Sequence, residues 1–295
     1  MKNNDILEIG SKDELINTLT NLACEKHYVF RGYSVQEQLY PTLIRKKAVS
    51  LENDLLYEFE RYAAHYVNAA NPIDFLSYAQ HFGLSTRLLD FTYNPFIALY
   101  FSMFKAKPNN AKEPEDNTYY YIRYASLEDN ICIREFPQKL AIEAMNDQPV
   151  TPFPAGVNGS KAADCERWAK WFQDYFSKTK PKPTLLSSRD AVGLHASEDQ
   201  LIDKLQKKPI LFFDPNQSNQ RLVMQQGLFM YPYSLHPNDH CSIVKRNTKL
   251  IKIHKNLRSE MQLYLNKMGI NAFRLMPDLS SVCEAVERLV KEKRN

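Results

Sequence analysis

The 295-residue chain carries 38 basic and 34 acidic residues, a net charge of +4, with 44% hydrophobic and 24% charged residues. These proportions belong to a globular protein and exclude disorder as the default. The net charge is too small to argue by itself for a surface that tracks nucleic acid, and the length suffices for one large domain or two small ones.

Five cysteines, Cys24, Cys132, Cys165, Cys241 and Cys283, are odd in number and far apart. Such spacing argues against a disulfide framework or a zinc ribbon and fits a reducing compartment. The first 22 residues, MKNNDILEIGSKDELINTLTNL, are polar and lack the apolar run of a secretion signal. No stretch approaches the length of a membrane span. The expectation is a soluble, cytoplasmic protein without a membrane partner.

In chain order, KDELINTLTNL (12–22) has helical spacing, with Ser11 as its N-cap. HYVFRGY (27–33) is aromatic and β-branched, reads as a strand and ends at a glycine. LENDLLYEFERYAAHYVNAA (51–70) reads as a long amphipathic helix, with an apolar stripe of Leu55, Leu56, Phe59, Tyr62, Ala63 and Tyr66. A shorter helix over 74–83 closes at Gly83. Asn94-Pro95 supplies an N-cap and an N1 proline for the apolar helix FIALYFSMF, which must be central.

A polar loop covers 105–117, and TYYYIRYA (118–125) reads as a strand. Residues 126–208 read as a helical insertion or subdomain, with an aromatic stripe of Trp168, Trp171, Phe172, Tyr175 and Phe176 on a helix over 161–178. Strands follow at 209–213, within 225–233 and at 249–254, then helices at 258–268 and 280–293. The order divides the chain into a helical lead-in (1–26), a core in two parts (27–125, and 209–295 with the C-terminal helices) and the insertion between them. Strands and helices without regular βαβ alternation predict an α+β fold, a mixed and mainly antiparallel sheet with flanking helices.

Chemistry gathers in three places. Arg31 lies among apolar strand residues, and a buried unpaired charge is very costly. It either forms a structural salt bridge, with Asp90 as the natural partner, or clamps a phosphate or carboxylate through its guanidinium fork. Gly32 beside it permits close approach of backbone to a ligand. In STRLLDFT (85–92), an extended segment places Thr86, Asp90 and Thr92 on one face. These suit a ribose hydroxyl or an amide, and the bland alternative is a turn leading into the Asn94 cap. Arg87 interrupts this apolar run, and His81 ends the helix before it. In QRLVMQQGLFMYP (220–232), Arg221 and Gln225 share a face of a helical start, and Gln225 and Gln226 stand at a strand entrance. HPNDH (236–240) is a weak metal signal without a partner motif, so no metal is expected. Zinc, P-loop, dinucleotide-fingerprint and nucleophile-elbow motifs are absent.

These segments resemble the FRG domain family. Phe30-Arg31-Gly32 matches its naming motif. Gln80, His81, Gly83, Thr86, Arg87, Leu88, Leu89, Asp90, Thr92 and Pro95 match its signature Gln-His-x-Gly-x-x-Thr-Arg-Leu-Leu-Asp-x-Thr-x-x-Pro. Arg221, Gln225, Gly227 and Phe229 match a later element, and MPDLSSVCEAV (276–286) its closing segment. The family is common in bacteria and in phage-related loci, which implies toxin or anti-phage defence roles.

The order of elements is also similar to the layout of ADP-ribosyltransferases. That likeness implies NAD as the nucleotide cofactor, a protein or nucleic-acid target and a neutralising partner protein. It would give Arg31 the pyrophosphate, Thr86 or Thr92 the nicotinamide pocket, and Gln225 or Gln226 the late-strand position that orients the ribose. Gly32, His81, Arg87 and Arg221 complete the implied binding set. The late position departs from that pattern. It offers glutamine where the layout has glutamate, and an amide cannot supply the negative charge that favours an oxocarbenium-like transition state. Asp90 is the carboxylate that stands in reserve. The alternative is a ligand-binding or sensor module without turnover, since no strong base or nucleophile stands out.

Overall fold

The computed structural model describes residues 6–25, 27–67, 69, 72–104, 118–133, 142–143, 149–150, 163, 166, 210–215, 220–232, 234–278, 282–283, 286–287 and 290. Its strands are β1 (Ile6–Ile9), β2 (Tyr28–Tyr33), β3 (Leu89–Thr92), β4 (Tyr119–Ser126), β5 (Ile131–Ile133), β6 (Ile142–Glu143), β7 (Pro149–Val150), β8 (Leu211–Phe213), β9 (Gly227–Tyr231) and β10 (Lys249–His254). Its helices are α1 (Lys12–Cys24), α2 (Thr42–Arg45), α3 (Glu52–Ala63), α4 (Pro72–His81), α5 (Pro95–Phe104), α6 (Gln220–Met224), α7 (Pro237–Asn247), α8 (Arg258–Lys267) and α9 (Ala272–Leu275).

Eight strands form one sheet in the order β1-β10-β4-β2-β3-β9-β8-β5, and β6 pairs with β7 apart from it. The β1–β10 and β5–β8 pairs are parallel and the others antiparallel. This is the mixed, mainly antiparallel sheet of an α+β fold. Helices cover both faces, because side chains alternate along each strand. On one face Phe30, Ile122 and Ile251 pack with Leu15 of α1, Ile97 and Leu99 of α5 and Met261 of α8. On the other, Val29, Tyr33, Phe91 and Phe212 pack with Leu56 of α3, Leu76 of α4 and Val244 of α7.

Local chemistry sets the element ends as the sequence predicts. The Ser11 hydroxyl accepts from the Glu14 N–H at 3.4 Å. The Asn94 side chain accepts from the Phe96 N–H at 2.9 Å and from the Ile97 N–H at 3.4 Å, so α5 starts at Pro95. Gly83 has φ of +93°, the left-handed backbone that stops a helix and that glycine adopts without cost.

Four readings are corrected. β1 lies in a segment read as a helical lead-in and takes its place by parallel pairing with β10. β2 does not end at Gly32 but runs through it to Tyr33. The helix predicted over 51–70 ends at Ala63, so its stripe does not continue. Leu56 is buried, whereas Tyr62 is 69% exposed beneath the Arg61 guanidinium, and Tyr66 lies beyond the helix. HPNDH opens the helix α7 with Pro237 at its start. It places His240 in the interior, where Nε2–H donates to the Leu39 carbonyl at 2.9 Å, and burial pushes this histidine down to about 4. No cluster of metal-ligating side chains forms among the described residues. Among them, too, no helix is long and apolar enough to cross a membrane. The 105–117 loop, most of the 126–208 insertion with its aromatic stripe, and most of the 280–293 helix lie outside the described residues.

Candidate functional site: a cleft at a split in the sheet

β2 runs beside β4 over its whole length, but it meets β3 at one register pair, Phe30 opposite Thr92. Beyond that point the two strands part. The separation begins at Arg31 on one side and Phe91 on the other, and a cleft opens there.

The cleft has two adjoining lobes. The one towards α5, of about 280 Å³, is walled by Phe30, Gly32, Phe91, Thr92, Ala98 and Phe101. The one towards α4, of about 180 Å³, is walled by Thr42, Ser77, Gln80, His81, Leu88 and Phe229. Arg31, Arg45, Asp90, Arg221 and Gln225 line both, so they stand where the lobes join.

Arg31 bridges the split. Its Nη1 donates to the Asp90 carbonyl at 2.5 Å, while Nε and Nη2 donate to the Gln38 carbonyl at 3.2 and 2.5 Å. Its contact with the Asp90 carboxylate is longer, 4.0 Å to Oδ2. Arg31 therefore holds two main-chain carbonyls first and faces Asp90 second. Burial lowers its pKa to about 10, with Asp90 acting in the opposite direction, so the guanidinium stays charged at neutral pH. The Gln38 side chain completes the bracket by accepting from the Ser34 N–H at 2.8 Å.

Asp90 presents the cleft's carboxylate. Its side chain is 54% exposed. A chain of hydrogen bonds fixes it: the Thr86 hydroxyl donates to Gln80 Oε1 at 2.5 Å, and Gln80 Nε2 donates to Asp90 Oδ1 at 2.5 Å. Both ends of the Gln80 amide are committed, which leaves Oδ2 facing Arg31. Thr86 also accepts from the Leu88 N–H at 3.3 Å, so the turn after α4 and the carboxylate are set together.

Arg87 does something else. It points away from the cleft and grips Glu52 with both arms, from Nε to Oε1 at 2.6 Å and from Nη2 to Oε2. Its guanidinium also lies over the Tyr231 ring, 5.2 Å from the centroid. Both side chains are 9% exposed, so the pair ties α3 to the segment before β3. The arginine and aspartate that stand three apart in STRLLDFT thus serve opposite sides of the strand.

Thr92 lines the cleft, yet its hydroxyl is occupied. It donates to the Gln225 carbonyl at 2.7 Å and accepts from the Asn94 N–H at 3.0 Å. Gln225 lines both lobes, with Nε2 donating to the Leu275 carbonyl of α9 at 2.9 Å. Gln226 is exposed and does not line the cleft. It adopts φ of +46°, and its carbonyl accepts from the Tyr93 N–H. Gly32 earns its place through packing: a Cβ there would overlap the Ala98 carbonyl of α5. The close approach expected of it is made by a helix backbone rather than by a ligand. His81 sits on the second lobe, half-buried, with its pKa lowered by burial and by Arg221, against the pull of Asp278.

Of the residues singled out in the sequence, the cleft gathers Arg31, Gly32, His81, Asp90, Thr92, Arg221 and Gln225. Thr86 acts one hydrogen bond behind it, while Arg87 and Gln226 lie apart. Sequence reasoning missed Gln38, Arg45 and Gln80 as cleft residues and Glu52 as the partner of Arg87. Gln80 had a signal, since it opens the Gln-His-x-Gly motif.

Residues 26–111 match the protein-family model FRG domain. The chain carries an FRG domain. The match runs from β2 through α5, so Arg31, the Thr86–Gln80–Asp90 chain and the Arg87–Glu52 pair all fall within it. Arg221 and Gln225 come from outside the matched FRG segment and complete the cleft by folding back onto it. No curated protein and no solved structure matches the chain.

Proposed function

We propose that this FRG-domain protein handles NAD in the cleft between β2 and β3 and cleaves its nicotinamide–ribose bond, as a hydrolase or an ADP-ribosyltransferase. The observation that carries this reading is Asp90, a half-exposed carboxylate held by Gln80 where the lobes join, 4.0 Å from Arg31 and flanked by Arg45 and Arg221. A fixed negative charge at that place favours positive charge developing on a ribose carbon. The C1′–N bond breaks, its electron pair leaves with the ring, and nicotinamide departs as a neutral molecule. Water, or an O–H or N–H group of a protein or nucleic-acid target, adds to C1′ and loses one proton. The arginines hold the anionic part of the dinucleotide. The glutamine at the late-strand position does not replace the missing glutamate, because Gln225 spends its amide N–H on Leu275. Asp90 takes that role from the neighbouring strand.

NAD consumption or target modification suits a toxin or anti-phage effector in bacteria, with a neutralising protein as its counterpart. The test is release of nicotinamide from NAD, and transfer of ADP-ribose to cell lysate, by purified protein. Asp90→Asn should lower turnover about 100-fold or more without lowering the melting temperature, since Asn keeps an acceptor for Gln80. Equal turnover in both proteins would remove Asp90 from the chemistry.

One observation favours a second reading, a nucleotide sensor without turnover. Asp90 is the single carboxylate among the described residues that line the two lobes, and Arg31 spends its best-placed donors on main-chain carbonyls. Tight NAD binding with no nicotinamide release would establish it.

A further inference from the structure

The two lobes differ in chemistry, and that difference orients a ligand. The lobe towards α5 is walled by Phe30, Phe91, Ala98 and Phe101, which suit the face of a planar heterocycle. The lobe towards α4 is walled by Thr42, Ser77 and His81, all able to donate, beside the committed Gln80 amide. The Ser77 hydroxyl is buried and has no hydrogen-bond partner among the described residues, an uncommon state for a buried polar atom.

Charge gives a second constraint. Arg31, Arg45 and Arg221 face one carboxylate, Asp90, where the lobes join, an excess of two positive charges over the lining residues. Arg31 and Arg45 are each tied to main-chain carbonyls, Arg45 through Nε to Tyr40 at 3.1 Å. Arg221 is half-buried on α6, and its guanidinium has no hydrogen-bond or ion-pair partner among the described residues. A guanidinium that lines a cleft with its donors uncommitted is a ready fork for phosphate.

We infer that the α4-side lobe is a diphosphate seat centred on Arg221, so that a nucleoside diphosphate lies through the split in the sheet with its ribose beside Asp90 and a heterocycle on the α5 side. This rests on the nucleotide reading of the cleft and deepens it. The diphosphate of a dinucleotide, with one charge on each phosphate, balances the excess of two. Asp90 repels a third anionic group at the junction, which excludes a ligand carrying phosphate at the ring end. Neither constraint requires turnover, so the seat serves the catalytic and the sensor readings alike.

The experiment is calorimetry with ADP, AMP, adenosine and NAD on the wild-type protein, on Arg221→Gln and on Arg45→Gln, with a thermal melt of each to confirm folding. ADP should bind more tightly than AMP. Arg221→Gln should weaken ADP and NAD about 10- to 100-fold, the loss of one charge-assisted contact, and leave adenosine unchanged. Arg45→Gln, at an exposed position, should weaken the same two ligands by less. If NAD binds the wild type and Arg221→Gln leaves that affinity unchanged, the diphosphate seat is wrong and the nucleotide reading stands. If adenosine loses as much as ADP, the seat is equally wrong. If neither ADP nor NAD binds the folded wild type, the seat and the nucleotide reading fall together.

Discussion

Glu52→Ala lowers the stability of the fold by about 3–5 kcal/mol, the scale for removing one partner of a buried ion pair. The Arg87 guanidinium would keep its burial and lose both acceptors that Glu52 provides. No water could replace them at 9% exposure without opening the contact between α3 and the strand. Replacing both partners together, as Glu52→Leu with Arg87→Met, should recover most of the loss, because apolar side chains of similar volume carry no desolvation cost. Chemical denaturation of the single and double variants measures this. A loss below 1 kcal/mol in Glu52→Ala would place the pair among exposed, weakly contributing ones. Because the pair points away from the cleft, ligand binding by the folded fraction should not change.

Gly32→Ala should be as damaging, for a different reason. The added methyl would meet the Ala98 carbonyl and the Ser102 N–H region of α5, which are backbone and cannot rotate aside. Overpacking of a tight interior costs about 1–3 kcal/mol and sometimes more, and a clash with helix backbone belongs at or above the upper end. The helix must lift from β2, which widens the split and displaces Phe101 and Thr92 from the cleft wall. Stability and ligand affinity should therefore fall together in this variant, whereas Glu52→Ala lowers stability alone. A Gly32→Ala protein with wild-type stability would show that α5 can shift freely.

Much of this architecture can be read in the sequence. The Asn94-Pro95 start of α5, its apolar run and the glycine after α4 are local signals, and the structure obeys them. The α+β class follows from the order of such elements. The cleft is legible only in part, because its residues meet by strand pairing across long separations. That Arg31 and Asp90 are close could be guessed from two charges in apolar strands. That Arg31 would hold main-chain carbonyls, with the carboxylate at 4.0 Å, could not, since it depends on β2 and β3 parting after a single register pair. Arg87 is the clearest case. Strand alternation does not say which face is the cleft, and its partner Glu52 stands 35 residues earlier at the start of another helix. Thr92 and Gln225 look like ligand contacts because they are polar at strand ends. They are spent instead on joining β3, α6 and α9 into the rim.

The most direct measurement of the central claim is a structure of the Asp90→Asn protein with NAD, a variant chosen so that the dinucleotide survives. The account predicts the diphosphate against Arg221 in the α4-side lobe, the nicotinamide ribose within hydrogen-bond distance of residue 90, and a ring between Phe30 and Phe101. NAD bound elsewhere, or a cleft that stays empty at saturating NAD, would contradict it.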